Sequence, residues 1–387
     1  MSAGRARLSP LVLLTALAFL VQVDARVMSP LLPAMAQALG ASVAGVGLAM
    51  TAYMLPYGLC QFAYGPLADR VGSVRVVRVA ALGFAAAAVA TGQAQGVLGL
   101  DATRLAAGVF AAAVIPLTLV YIGDSVPYAE RQGAIGRFAA ITSIAQSLSA
   151  AIGGAVAHFV SWRAVFVGVG VVALLPALGL FALGAARPAA GRGREGGYRT
   201  VLRRPAARVL FALVAFEGLF LWGGFTYLGA VAVARFGLNP LEVGLLLAVY
   251  GAVVVVGGLS LARVRGVVPE RWLAALGGGL KGLGYLVLIP RGPVVLYVLG
   301  IGMLGAGYIA LHTTLQTRAT EIAPEARGTA VALFAFCLFL GGSVGSAAFG
   351  PLVARGWHRL FLAICGVSLL ALGALAVRLL GRAAEAR

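Results

Sequence analysis

Charge is what this chain has least of. Only 11% of its 387 residues are Asp, Glu, Lys or Arg, against about 25% in a typical soluble domain. A surface so poor in charge is not solvated by water, which excludes a soluble globular protein. Acids number 12 against 30 basic residues, and lysine occurs once, at Lys281. The net charge of +18 imitates a nucleic-acid binder, but the basic residues stand singly or in short groups between apolar runs. No basic stripe with interleaved aromatics exists, so nucleic acid is not an expected partner. Cysteine is scarce too. Cys60, Cys337 and Cys365 sit in apolar runs without metal-ligand spacing and read as small core residues. His158, His312 and His358 are scattered. With no P-loop, H-E-x-x-H or acid-rich metal motif, neither an enzyme nor an ATP-driven pump is expected, and no cofactor or metal.

Apolar sequence is what the chain has most of: 61% of residues are hydrophobic and the mean hydropathy is +0.98. A bilayer core about 30 Å thick takes roughly 20 apolar residues per helical crossing. Runs bounded by Arg, Pro and Gly place spans near 8–39, 44–68, 76–97, 102–124, 134–160, 162–186, 208–235, 241–262, 271–290, 293–317, 328–354 and 357–380. The stretch Leu8 to Val23 lacks a small-residue cleavage site and apolar sequence continues to Leu39, so it reads as the first span and not as a signal peptide. The expected fold class is therefore all-α integral membrane, with twelve transmembrane helices.

Basic residues alternate from loop to loop. One set holds Arg5, Arg7, Arg70, Arg75, Arg78, Arg131, Arg137, Arg271, Arg318 and Arg327, and the Arg-rich middle stretch from Arg187 to Arg208; the loops between are sparse. By the positive-inside rule both termini face the cytoplasm, in a multi-pass protein of a bacterial-type inner membrane. A repeat divides the chain at its middle. Glu130, Gly133, Trp162 and Phe166 recur as Glu325, Gly328, Trp357 and Phe361 at an offset of 195, and Gly47 and Tyr53 recur as Gly244 and Tyr250 at 197. The expected organisation is two pseudo-symmetric six-helix bundles, 1–186 and 207–387, joined by a cytoplasmic linker at 187–206. A substrate site then falls between the halves near the bilayer midplane.

The loop after the second span reads Gly65-Pro66-Leu67-Ala68-Asp69-Arg70-Val71-Gly72. Gly65 and Gly72 permit a tight turn and close helix approach, Asp69 can cap a helix N-terminus, and Arg70 can pair with an acid. This segment resembles the G-x-L-A-D-R-x-G signature of the major facilitator superfamily. The family's following basic pair is Ser73 and Val74 here. The second half holds a worn copy, Ser260 to Arg265. Arg104-Leu105-Ala106-Ala107-Gly108 is similar to the family's R-x-x-x-G motif, which is tied to proton coupling. Trp162-Arg163 with Phe166 is similar to its hairpin between the fifth and sixth spans. The antiporter element of the fifth span keeps Gly153-Gly154 and lacks its Gly-Pro. The resemblance covers the whole chain. It implies a monomeric secondary transporter of a small molecule, nearest in look to the drug:proton antiporter branch, with Gly65, Asp69, Arg70 and Gly72 as a conformational latch.

A charge buried in hydrocarbon costs at least about 2.5 kcal/mol, so each mid-span ionisable residue is a candidate. Asp24 and Arg26 lie inside the first span and, two residues apart, need different partners; Pro30 and Pro33 follow and can bend the span. Glu217 is nine residues past Arg208, about 14 Å along the helix, where a buried carboxylate can carry a proton. Lys281 is ten residues from both Arg271 and Arg291, and can serve as counter-ion to Glu217 or Asp24 or meet an anionic substrate. His312 can titrate near neutrality or simply pack. Arg104 can couple or can snorkel to the nearer interface. Tyr53, Tyr57 and Gln61 repeat every fourth residue on one face. With Gln146, Trp222 and Tyr227 they are candidate cavity walls. The expected function is proton-coupled efflux of amphipathic compounds by alternating access. The alternatives are a specific metabolite or organic-anion transporter or facilitator, which Lys281 and Arg26 would suit, and a membrane scaffold or sensor without transport.

Overall fold

Local signals set the helix ends. Ser42 Oγ accepts from Gly45 N at 3.0 Å and Ser161 Oγ from Ala164 N at 3.1 Å, each satisfying a free first-turn donor. Asn239 and Glu242 cap reciprocally, Asn239 N donating to Glu242 Oε2 at 2.8 Å and Glu242 N to Asn239 Oδ1 at 3.0 Å. Along the helices the backbone satisfies itself, because lipid offers no partner to a bare amide.

The computed structural model describes residues 9–183, 197–265 and 268–385, all helices and connections, with no strand among them. Arg5, Arg7, Arg187, Arg192 and Arg194 lie outside the described residues, as does the first half of the expected linker. In chain order the long helices are α1 (Pro10–Arg26 and Met28–Ala38), α2 (Val43–Val71), α3 (Ser73–Gly92), α4 (Val97–Ser125), α5 (Tyr128–Phe159) and α6 (Trp162–Ala182). After a short helix, Tyr198–Leu202, come α7 (Pro205–Phe236), α8 (Pro240–Arg265), α9 (Glu270–Val287), α10 (Val294–Glu321), α11 (Arg327–Ala354) and α12 (His358–Glu385). Among the described residues, ten helices are long and apolar enough to cross a membrane, or eleven when the two segments of α1 count as one span. The exception is α9, which packs Glu270, Arg271 and Lys281 into 18 residues.

The two segments of α1 meet at Val27 at 55°. Pro30 has no N–H for the Arg26 carbonyl and Pro33 none for that of Ser29, so the helix bends where the sequence places its prolines. The α2–α3 connection is tighter than the motif suggests. Gly65 lies within α2, which runs unbroken to Val71, and Gly72 alone makes the turn at φ 96°, a backbone region closed to most side chains.

Packing within the first half pairs α3 with α4 and α6, α2 with α4, and α1 with α5 and α6. The same pairings recur six helices later: α9 with α10 and α12, α8 with α10, and α7 with α11 and α12. Between the halves, α5 packs on α8, α2 on α11, and the second segment of α1 on α7. Ser147 Oγ donates to Gly251 O at 2.9 Å, Thr51 Oγ1 to Ser343 O at 3.0 Å, and Ser29 Oγ to Phe225 O at 2.8 Å across these seams. Hydroxyl-to-carbonyl bonds and small residues let apolar helices associate where no hydrophobic effect separates them from lipid.

Candidate functional site

Five of the mid-span ionisable residues gather into two clusters. In the first half Arg104 Nη1 donates to Asp24 Oδ2 at 2.7 Å, and both side chains are fully buried. The guanidinium lies 4.2 Å over the Tyr53 ring and 5.4 Å over that of Phe166. Arg104 is thus a buried ion-pair partner held by aromatic faces, and not a side chain snorkelling to the interface. The R-x-x-x-G spacing acquires a reason here. Arg104 and Gly108 share one face of α4, and a Cβ on Gly108 would run into the Tyr53 carbonyl. The glycine admits α2 close enough for Tyr53 to lie beneath the arginine.

In the second half Glu217 joins three helices. Its Oε1 accepts from Lys281 Nζ of α9, and its Oε2 lies 3.1 Å from His312 Nδ1 of α10. Glu217 and Lys281 are fully buried and His312 nearly so. Of the two counter-ions open to Lys281, Glu217 is the one it meets. The Tyr308 ring stacks on His312 at 4.3 Å. Both helices widen where they supply this cluster: α7 has a π turn at Gly218–Gly223 directly after Glu217, and α10 one at Tyr308–His312. Such bulges re-aim side chains and recur at functional sites.

Arg26 belongs to neither cluster. It sits at the bend of α1, directed away from Asp24, and its guanidinium lies 3.4 Å over the Trp222 ring of α7. Tyr250 and Tyr308 flank Trp222 at ring separations of 5.8 and 5.6 Å. Tyr57 stacks on Tyr53 at 5.9 Å and meets Phe339 of α11 in a tilted contact at 4.4 Å. These groups form an aromatic chamber between the halves. Tyr250 and Tyr308 are site residues that reasoning from single spans passes over. The repeat marked Tyr250 as the counterpart of Tyr53, whereas Tyr308 has no signal in the sequence beyond its place next to the histidine turn.

The remaining candidates fall elsewhere. Tyr227 donates to Ser346 O at 2.6 Å and is wedged between Gly47 and Gly350, so it is a packing group between α7, α2 and α11. Gln61 and Gln146 are half-buried. Asp69 and Arg70 are exposed and, among the described residues, have no ion pair. An apolar groove of about 920 Å³ lined by Leu11, Phe19, Phe138, Ile141 and Leu175 lies outside the charged clusters, between α1, α5 and α6.

A multi-pass helical membrane protein with an ion pair buried inside each of two helix groups is of the class of small-molecule transporters, not enzymes. The family model of the Major Facilitator Superfamily matches residues 14–346, and the chain belongs to that family. It is 28% identical over 348 residues to the uncharacterized MFS-type transporter YceJ of Bacillus subtilis, covering 88% of each chain. It is 27% identical over 379 residues to the multidrug transporter MdfA of Edwardsiella ictaluri, covering 90% of this chain and 89% of that one. Among solved structures, a bacterial homolog of the human lysosomal transporter Spinster, inward-facing and unoccupied, superposes with a TM-score of 0.80 at 18% identity, over 97% of this chain and 98% of that one.

Proposed function

We propose that this chain is a proton-coupled exporter of amphipathic small molecules, working as a monomer by alternating access of two six-helix bundles. In this reading all the long helices cross the bilayer, twelve in number, with 1–186 and 207–387 as the bundles and both termini cytoplasmic. The charged helix α9 is the twelfth crossing. Lys281 is tolerable there because Glu217 neutralises it, while Glu270 and Arg271 stand at the helix end near the headgroups.

The observation that carries the reading is the contact of Glu217 with both Lys281 and His312. An ion pair buried in hydrocarbon gives little net stability over an apolar replacement, so its presence asks for a function. A proton arriving on Glu217 removes the charge that holds Lys281 and His312, and so loosens α9 and α10 from α7. Departure of the proton restores the tie. That is a coupling element between a proton and the packing of one bundle. Asp24 and Arg104 form the corresponding tie between α1 and α4. Export is favoured by relatives named for multidrug transport, probable sugar efflux (Helicobacter acinonychis) and tetracenomycin C resistance and export (Streptomyces glaucescens).

Proteoliposomes carrying a pH-sensitive dye test this. Challenge with a panel of lipophilic cations, anions and sugars is expected to give substrate-dependent proton flux in the wild type and its loss in Glu217→Gln or Asp24→Asn. Substrate movement that persists in both variants with no proton signal would replace this reading with a facilitator.

A further inference from the structure

The charges of the membrane interior do not cancel. Asp24 pairs with Arg104, and Glu217 with Lys281. Arg26 is left over, with no carboxylate bonded to it among the described residues. Its surroundings are equally incomplete. Arg26 Nε, Trp222 Nε1, Tyr53 OH and Tyr250 OH are all shut off from solvent and have no hydrogen-bond partner. Tyr53, Tyr57, Tyr250 and Tyr308 are the electrostatic neighbours of Arg26. Buried polar groups are nearly always bonded, and each one left bare is costly. Here four such atoms belong to the residues of one chamber: two are N–H donors and two are hydroxyls that can donate or accept. Arg26 and Tyr308 are half-buried and keep some accessible surface.

A ligand that completes this chamber must bring acceptors and negative charge to the donors, and a flat apolar body to the rings. We infer that the chamber around Arg26 and Trp222 is the substrate site and that it selects planar aromatic compounds carrying a carboxylate or another anionic acceptor group. This rests on the transport reading above and names its substrate class. The indole under the guanidinium holds that plane in place, and the planar fork of the arginine is left to grip the carboxylate. A lipophilic cation of the same shape meets the uncompensated positive charge of the arginine.

Three probes sharing one ring separate charge from shape: 2-naphthoate, 2-naphthylmethanol and 2-naphthylmethylammonium. Binding to the detergent-purified full chain is measured by calorimetry, which needs no proton coupling, so failure of the efflux reading and failure of this one give different results. The carboxylate is expected to bind at least roughly tenfold more tightly than the alcohol, with the ammonium weakest. Arg26→Gln is expected to abolish the preference. Arg26→Lys, which keeps charge but not the planar stack, should recover part of it. Monodisperse elution of each variant certifies its fold, and the wild-type probe series stands without any variant. Equal or tighter binding of the ammonium, no binding of any probe, or a carboxylate preference that survives Arg26→Gln would each overturn the inference.

Discussion

At the scale of single residues, Glu217 has two roles that a simple knockout confounds. Neutralising it leaves Lys281 charged and unpaired in a dry interior, and breaking one side of a buried pair costs about 3–5 kcal/mol. Loss of transport in Glu217→Gln alone would therefore say little about protons. The double variant Glu217→Gln/Lys281→Met removes both charges. It is expected to regain most of the melting temperature lost in Glu217→Gln, because two neutral groups of similar length fill the same space without an orphaned ammonium. Substrate-driven proton flux is expected to stay absent, since the carboxylate proposed to exchange the proton is gone. A thiol-reactive dye melting curve in detergent and the proteoliposome assay read the two quantities separately. A double variant that recovers stability and proton flux together would make the pair a structural tie only. Asp24 and Arg104 differ from this pair in one respect. Asp24 Oδ1 and Arg104 Nε have no partner, so the guanidinium holds the carboxylate by one oxygen where a bidentate grip is possible, its Nη2 donating instead to the Asp24 carbonyl at 3.4 Å.

At the scale of helices, the question is what lets a charged face be buried at all, and the answer is close backbone approach. Gly108 on α4 faces the Tyr53 carbonyl of α2 with no room for a methyl group, whereas Gly99, nine residues earlier on the same helix, has nothing near it. Gly108→Ala is expected to cost about 1–3 kcal/mol through overpacking and to weaken transport by displacing Tyr53 from beneath Arg104. Gly99→Ala should be neutral or slightly stabilising, since alanine favours a helix by up to about 1 kcal/mol over glycine. Paired melting curves of the two variants check the contrast. The helices themselves were legible in the sequence because hydropathy is a local property, and the bend in α1 because Pro30 and Pro33 announce it. The candidate charges were legible because a charge in a long apolar run is expensive wherever it points. Their partners were legible only in part, Glu217 standing as one of two counter-ions open to Lys281 and Arg104 not foreseen for Asp24. Asp24 meets Arg104 across 80 residues and Glu217 meets Lys281 across 64, and nothing in either local window fixes such a pairing. The π turns were hidden as well, because a widened turn differs from an α-helix by one hydrogen-bond step and has no composition of its own. Gly65 was misread for a related reason. A glycine in a turn motif looks the same whether it makes the turn or lies one helical stretch before it.

At the scale of the whole molecule, two groups of helices meet along α2–α11 and α5–α8, and alternating access requires these seams to open in turn. The α2–α11 seam is tied by Thr51 Oγ1 donating to Ser343 O at 3.0 Å and Ser346 Oγ to Gly47 O at 3.1 Å. Both are single neutral hydrogen bonds, worth about 0.5–1.5 kcal/mol each, strong enough to define a closed state and weak enough to release it. A covalent tie at the same place should not release. Thr51→Cys/Ser343→Cys, made after replacing Cys60, Cys337 and Cys365 by serine, brings two thiols to positions whose side chain and backbone already touch, well within the span of a disulfide. The reduced double-cysteine protein is expected to transport. Oxidation should abolish transport, and a reducing agent should restore it. Neither single-cysteine variant should respond to oxidation. Substrate binding by calorimetry should survive the cross-link, since the chamber around Arg26 is already assembled with this seam closed. Transport that continues at full rate through a quantitatively formed cross-link would mean that α2 and α11 move as one body, and the parting of the halves would have to be sought at α5 and α8 alone.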